Sequence, residues 1–183
     1  MKNHFPTLVL SLLSTIIPCA LWAQHVDTAR SEIRYKDFKT EHMWNAKVKI
    51  AGTLVVGDSK YGTRRMIPIT GGSFEGPKIK GVVLPGGEDW QLARPDGDTE
   101  MEARYLLKTD DGTVIRVTNR ALMHFPSKGE KAEPYIKSVL EMEVPNNSPY
   151  AFLNHAIFLG TLEVPAVKPG EDPYVIIGVY RVL

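Results

Sequence analysis

The feature that most limits what this chain can become is a rhythm of short runs rich in Val, Ile, Tyr and Thr, each closed by Gly, Pro, Asn or Asp. The runs occupy residues 48–57, 79–84, 99–109, 113–123, 135–144, 151–164 and 174–183. β-Branched and aromatic side chains suit a pleated surface, and the closing residues are those that turns need. No stretch of useful length places apolar residues at helical spacing. The expectation is therefore an all-β chain, with the strands closed into a barrel or stacked as a sandwich.

The clearest local unit is residues 99–119. Asp110-Asp111-Gly112 separates two alternating runs, and Asp-Gly supplies the positive φ that a tight hairpin needs. On the first run Met101, Ala103, Tyr105 and Leu107 share one face, with Glu100, Glu102, Arg104 and Lys108 on the other. On the second, Ile115, Val117 and Asn119 lie together, opposite Arg116 and Arg120. The inner face is apolar except for Tyr105 and Asn119. Each either satisfies a neighbouring backbone group or orients a bound molecule in a cavity. From Tyr150 to Gly160 both faces are largely apolar; parity sets Asn154 with Phe152 and Phe158 and His155 with Leu153 and Ile157, so one of Asn154 and His155 is expected to face an interior.

Glycines crowd residues 69–97, at 71, 72, 76, 81, 86, 87 and 97. They do not form a phosphate loop: neither GxxxxGK[ST] nor GxGxxG is present, and a β-like run follows instead of a helix that could face an anion. They read as bends and bulges of a closing sheet. Asp89-Trp90, among these glycines, is the most informative pair. A bulge that turned Trp90 inward and Asp89 to the barrel mouth would bury the carboxyl, raise its pKa and suit it to proton transfer. The alternative is an aspartate bonded to the amides of its own turn.

The first residues, 1–23, read as a secretory signal peptide: Lys2, an apolar run from Leu8 to Ile17, then small residues closing at Ala23. The apolar run is too short to cross a bilayer as a helix. Cys19 raises a lipoprotein reading, but Pro18 stands where that site needs a small residue. After cleavage the chain has no cysteine, which excludes disulfides and thiolate chemistry. Cleavage removes one lysine and no acid from 22 basic and 21 acidic side chains, leaving zero net charge. That balance excludes a nucleic-acid footprint. Residues 24–47 are expected to hold an N-terminal segment and a first strand, and residues 48–183 one barrel domain. The histidines show neither HxH nor HExxH spacing, and no Gly-x-Ser-x-Gly elbow is present, so no metal and no cofactor is implied.

Three blocks, IPITGGSFEGPKIKGVVLPGGEDWQ, ARYLLKTDDGTVI and PYAFLNHAIFLG, are similar in order and spacing to domain-of-unknown-function family 3237. The resemblance runs from about Val48 to Leu183. It implies a compact antiparallel β-barrel of calycin or lipocalin-like form. By position it carries over Arg64 or Arg65, Gly71, Gly72, Phe74, Gly76, Gly86, Gly87, Asp89, Trp90, Arg104, Tyr105, Asp111, Gly112, Tyr150, Leu153 and Asn154. Phe152, where tryptophan is more usual, and residues 126–145 depart from the pattern. An export signal is not something that pattern requires, so this copy is expected to work in the periplasm or outside the cell.

Three functions follow as expectations. The first is a barrel that binds a hydrophobic or aromatic small molecule, with Trp90, Tyr105, Met101, Ile115 and Val117 as walls and Tyr105, Asn119 and Asn154 as hydrogen-bonding groups. The second is a cofactor-independent isomerase, cyclase or lyase in which Asp89 moves a proton and Tyr105 or Arg104 stabilises an oxyanion. The third is a non-catalytic interaction module, and self-association is compatible with all three.

Overall fold

The computed structural model describes residues 37–127, 129 and 131–183; the expected signal peptide lies outside the described residues. Ten strands follow in order: β1 (Thr40–Ile50), β2 (Leu54–Ser59), β3 (Gly62–Glu75), β4 (Lys80–Val83), β5 (Gly87–Ala93), β6 (Thr99–Thr109), β7 (Val114–His124), β8 (Tyr135–Glu143), β9 (Phe158–Glu163) and β10 (Tyr174–Val182). Every pairing is antiparallel. Each strand position pairs with the next along the chain, and β10 closes on β1, giving a closed eight-stranded barrel. Closure removes the exposed edges that an open sheet of this size would carry.

Eight positions arise from ten strands because two positions are broken. β1 and β2 lie end to end along one side of β3, and β4 and β5 lie end to end along the other. Both breaks fall at one level, where β3 bends. There the register with β1 steps from Lys49↔Gly71 to Ile50↔Ile69, leaving Thr70 as an extra residue. The glycine-rich segment is thus a bulged corner of the barrel, as its composition implies.

The expected hairpin forms between β6 and β7 with Tyr105 opposite Val117. Its turn takes positive φ at Gly112 alone, at 92°, the three-residue form with one left-handed position. Two of the expected runs divide. Residues 48–57 break after Ile50, and residues 151–164 form a short 3₁₀ helix (Ala151–His155) before β9 begins. In that helix Leu153 is the buried side chain, so neither Asn154 nor His155 faces the barrel interior.

The inward faces fill one half of the barrel. Trp44, Phe74, Leu107, Ile115 and Phe158 are almost wholly buried there, and Trp44 meets Phe74 edge-on with ring centroids 5.7 Å apart. Side chains of this size stabilise by about 1.5–3 kcal/mol each on burial, enough to hold a domain with no disulfide. No helix among the described residues is long and apolar enough to cross a membrane.

Candidate functional site: a polar-edged cavity inside the barrel

The other half of the barrel is not filled. A cavity of about 240 Å³ remains, walled by apolar side chains such as Ile50, Ile67, Leu162 and Val175. Its volume lies just under the usual range for sites that enclose drug-sized molecules, so it suits a compact guest. Three polar groups from β3 and β5 line one wall. The Arg65 Nε donates to Gln91 Oε1 at 2.7 Å, and the Gln91 Nε2 donates to Asp89 Oδ2 at 2.6 Å. Register explains the chain: Arg65 is paired with Gln91, and Asp89 lies two residues back on the same face.

The second carboxylate oxygen, Asp89 Oδ1, is buried without a hydrogen-bond partner among the described residues, as is Asn119 Oδ1. The two residues stand at one level, Asp89 opposite Ala103 and Ala103 opposite Asn119. At ordinary strand spacing their Cα atoms are about 10 Å apart, and the small Ala103 side chain leaves the gap between them open. Burial pushes the Asp89 carboxyl above the usual carboxylate range; the Gln91 hydrogen bond and the Arg65 charge pull it back in part. Tyr105 lines the same cavity, and burial raises its phenol, so it remains a proton donor at neutral pH.

Several residues expected at the site stand elsewhere. Trp90 faces outward, paired with Met66 and Glu102, because β5 runs straight through Asp89 and Trp90 without the bulge that would have turned the indole in. Arg104 is also on the outer face, bound to Glu102. Ile115 and Val117 point inward but belong to the filled half, below the cavity. Asn154 holds the backbone of Val144 instead, accepting from its N–H and donating to its carbonyl, each at 2.9 Å, and donating to Asn146 Oδ1 at 3.1 Å. Asn154→Ala should therefore destabilise the fold by about 2–3 kcal/mol in denaturant titration and leave ligand affinity unchanged. Asp89, Tyr105, Asn119 and Met101 do come together.

Arg65 enters the site from sequence only as one of two alternatives, and Gln91 is missed altogether. The available signal was the period of two: once Asp89 is inward, Gln91 must be as well.

A larger but shallow groove, about 990 Å³, lies on the outer face beside Trp90 and Tyr135. Its Glu102 is matched by both Arg104 and Arg120, so the acid and the bases there neutralise one another. The enclosed, incompletely satisfied cavity is the better place for chemistry. No three His, Cys, Asp or Glu side chains among the described residues are grouped to hold a metal.

Fold and cavity together define a small meander barrel that keeps an unfilled chamber edged by a buried acid. The model of the DUF3237 family, described as a protein of unknown function, matches residues 38–182, and the chain belongs to that family. A UPF0311 protein of Rhodopseudomonas palustris is 32% identical over 155 residues, 79% of this chain and 97% of its own length. The crystal structure of that protein superposes with a TM-score of 0.71, covering 81% of this chain and all of the other (100%). A β-barrel-like protein of Acinetobacter baumannii, 29% identical, superposes with a TM-score of 0.72 over 83% of this chain and 100% of the other. A hydroalkoxylation enzyme of Penicillium herquei is 26% identical over 121 residues, 66% of this chain and 72% of its own.

Proposed function

We propose that this barrel is a calycin-like container that acts as a cofactor-free proton-transfer catalyst on a compact, largely apolar unsaturated molecule. The observation that carries the reading is Asp89, a residue of the cavity wall: one carboxyl oxygen is fixed by Gln91, and the other is buried with no hydrogen-bond partner among the described residues. An acid whose proton is held more tightly by burial can give it to a guest where water does not compete. A pure carrier has less reason to keep such a group, because an unpartnered buried carboxyl is an unfavourable wall for an apolar guest.

The name of the Penicillium relative, a hydroalkoxylation enzyme, supports one form of this reaction, addition of a hydroxyl across a carbon–carbon double bond, which we propose here within one molecule. In that form Asp89 gives its proton to one alkene carbon and the hydroxyl oxygen bonds to the other. The hydroxyl proton then returns to the carboxylate. One π bond and one O–H bond are exchanged for a C–H and a C–O bond, so no redox partner is needed. In this reading Tyr105 and Asn119, which line the same cavity, hold the reacting hydroxyl. The leading residues 1–23 support action outside the cytoplasm.

Because the product is an isomer, its mass does not change in ordinary water. The test is to incubate the protein in D₂O with a panel of alkenyl phenols and alkenols. A cyclised product carrying one deuterium that does not exchange is the expected result. A guest recovered unlabelled and in no more than molar equivalence would make the protein a carrier.

A further inference from the structure

The cavity carries a cation that tunes Asp89 through Gln91 and its charge but has no direct part in the proton transfer. Among the described residues lining it, Arg65 is the one cation, and it forms no ion pair with any described carboxylate. Four arginines of the outer surface, Arg94, Arg104, Arg116 and Arg120, each hold a carboxylate; Arg64 on the outer groove and Arg181 do not, but neither lines the cavity. Arg65 is also exposed, whereas Asp89 and Gln91 further along the same wall are largely covered, which puts it at the opening of the chamber.

Its geometry is set. The bond from Nε to Gln91 Oε1 ties down one edge of the guanidinium and fixes its plane, while Nη1 and Nη2 bond to no side chain among the described residues. Two parallel N–H groups at the end of a guanidinium match the two oxygens of a carboxylate. The acid of the cavity, Asp89, is reached from Arg65 only through Gln91 and makes no direct ion pair with it, so both Nη groups stay open to a guest. What remains is an oriented cation at the mouth of an apolar chamber. We propose that the site takes an amphipathic organic anion, with its apolar body inside the barrel and a carboxylate at the mouth, paired end-on with Arg65. This rests on the reading of the cavity as the reaction chamber and names the class of substrate it selects. Apolar walls deep inside and a cation at the rim fix the direction in which such a molecule enters, apolar end first.

Isothermal titration calorimetry with 3-phenylpropanoate and its neutral counterpart 3-phenylpropanamide tests the proposal on the intact protein. The carboxylate should bind about tenfold more tightly than the amide, and the preference should weaken at high salt. Arg65→Gln should bring the two within about twofold of one another, while Arg65→Lys, which keeps the charge and loses the fork, should fall between. Arg65 is exposed, so these variants are expected to melt with the wild type. If one does not fold, the salt dependence of the wild-type preference decides. Equal binding of the two compounds, a preference that survives Arg65→Gln or high salt, or no binding of either at millimolar concentration overturns the proposal. The deuterium experiment separates it from the proposed reaction. Preference for the carboxylate without labelling keeps the anion subsite and removes the catalyst; labelling without preference does the reverse.

Discussion

Asp89→Asn lowers turnover by about 10²–10⁴-fold, the usual contribution of a positioned general acid, and leaves the barrel folded. Asparagine keeps the shape of the side chain and a carbonyl oxygen for Gln91 Nε2 but has no ionisable proton to give. The same substitution should raise stability at neutral pH. Burial holds the folded-state pKa of Asp89 above its unfolded value, so the folded protein binds the proton more tightly than the unfolded chain does. The resulting stabilisation is fully present below the unfolded pKa, near 4, and is lost as pH rises through the raised folded value. At pH 7 the wild type is then less stable than Asp89→Asn, and the gap should close as the pH approaches about 4. Thermal melts of both proteins at the two pH values check this. A variant that loses activity and also loses stability at pH 7 would mark Asp89 as a structural residue. Wild-type activity should likewise fall as pH rises past the raised carboxyl pKa, because the acid form is the one that acts.

The expected gain in stability on replacing Asp89 has a plain reading. A group that costs free energy where it stands is kept for what it does, which is the pattern expected of a functional site.

How far the sequence reveals this site depends on which wall is considered. The β6–β7 hairpin was legible because both its strands obey the simple rule, apolar side chains inward and charged ones outward, and Tyr105 and Asn119 stood out as exceptions on the inner face. β5 reverses that rule. Asp89 and Gln91 face the cavity while Trp90 and Leu92 take the outer face, so hydrophobicity puts the wrong residue of the Asp89-Trp90 pair inside. The reversal follows from the unfilled half of the barrel: a strand bordering a polar-edged cavity is not selected for a dry inner face. β3 was hidden for another reason, since Pro68 and the glycine pair interrupt its β-branched residues, although they are the residues that let it bend. Asn154 misled because parity assumes a strand, and the chain there makes a helical turn anchored by Leu153.

The bend in β3 is where the fold itself is most exposed to a single substitution. Gly72 has φ of 140°, a conformation that side chains rarely adopt, and it pairs with Val48 of β1 on one side and Val83 of β4 on the other. A Cβ at this position would overlap the carbonyl oxygen of Lys47, which is main chain and cannot swing away. Gly72→Ala therefore combines an unfavourable φ with a displaced β1, and should destabilise by about 3 kcal/mol or more. For a domain of this size that is a fall of roughly 10 °C in Tm, read by calorimetry. The effect should also reach the cavity. Val48 and Ile69, beside the bend, are among its walls, and the β1–β3 seam is one of those that close the barrel around it. A Gly72→Ala protein that still folds at low temperature should thus bind its guest more weakly although no polar group of the site has changed. Gly52 is the control: it lies in the nearby link between β1 and β2, a Cβ there meets nothing, and its change to alanine should leave Tm within about 2 °C of the wild type. Equal melting of the two variants would mean that the corner is not held by Gly72, and that the closure of the barrel has its physical origin elsewhere.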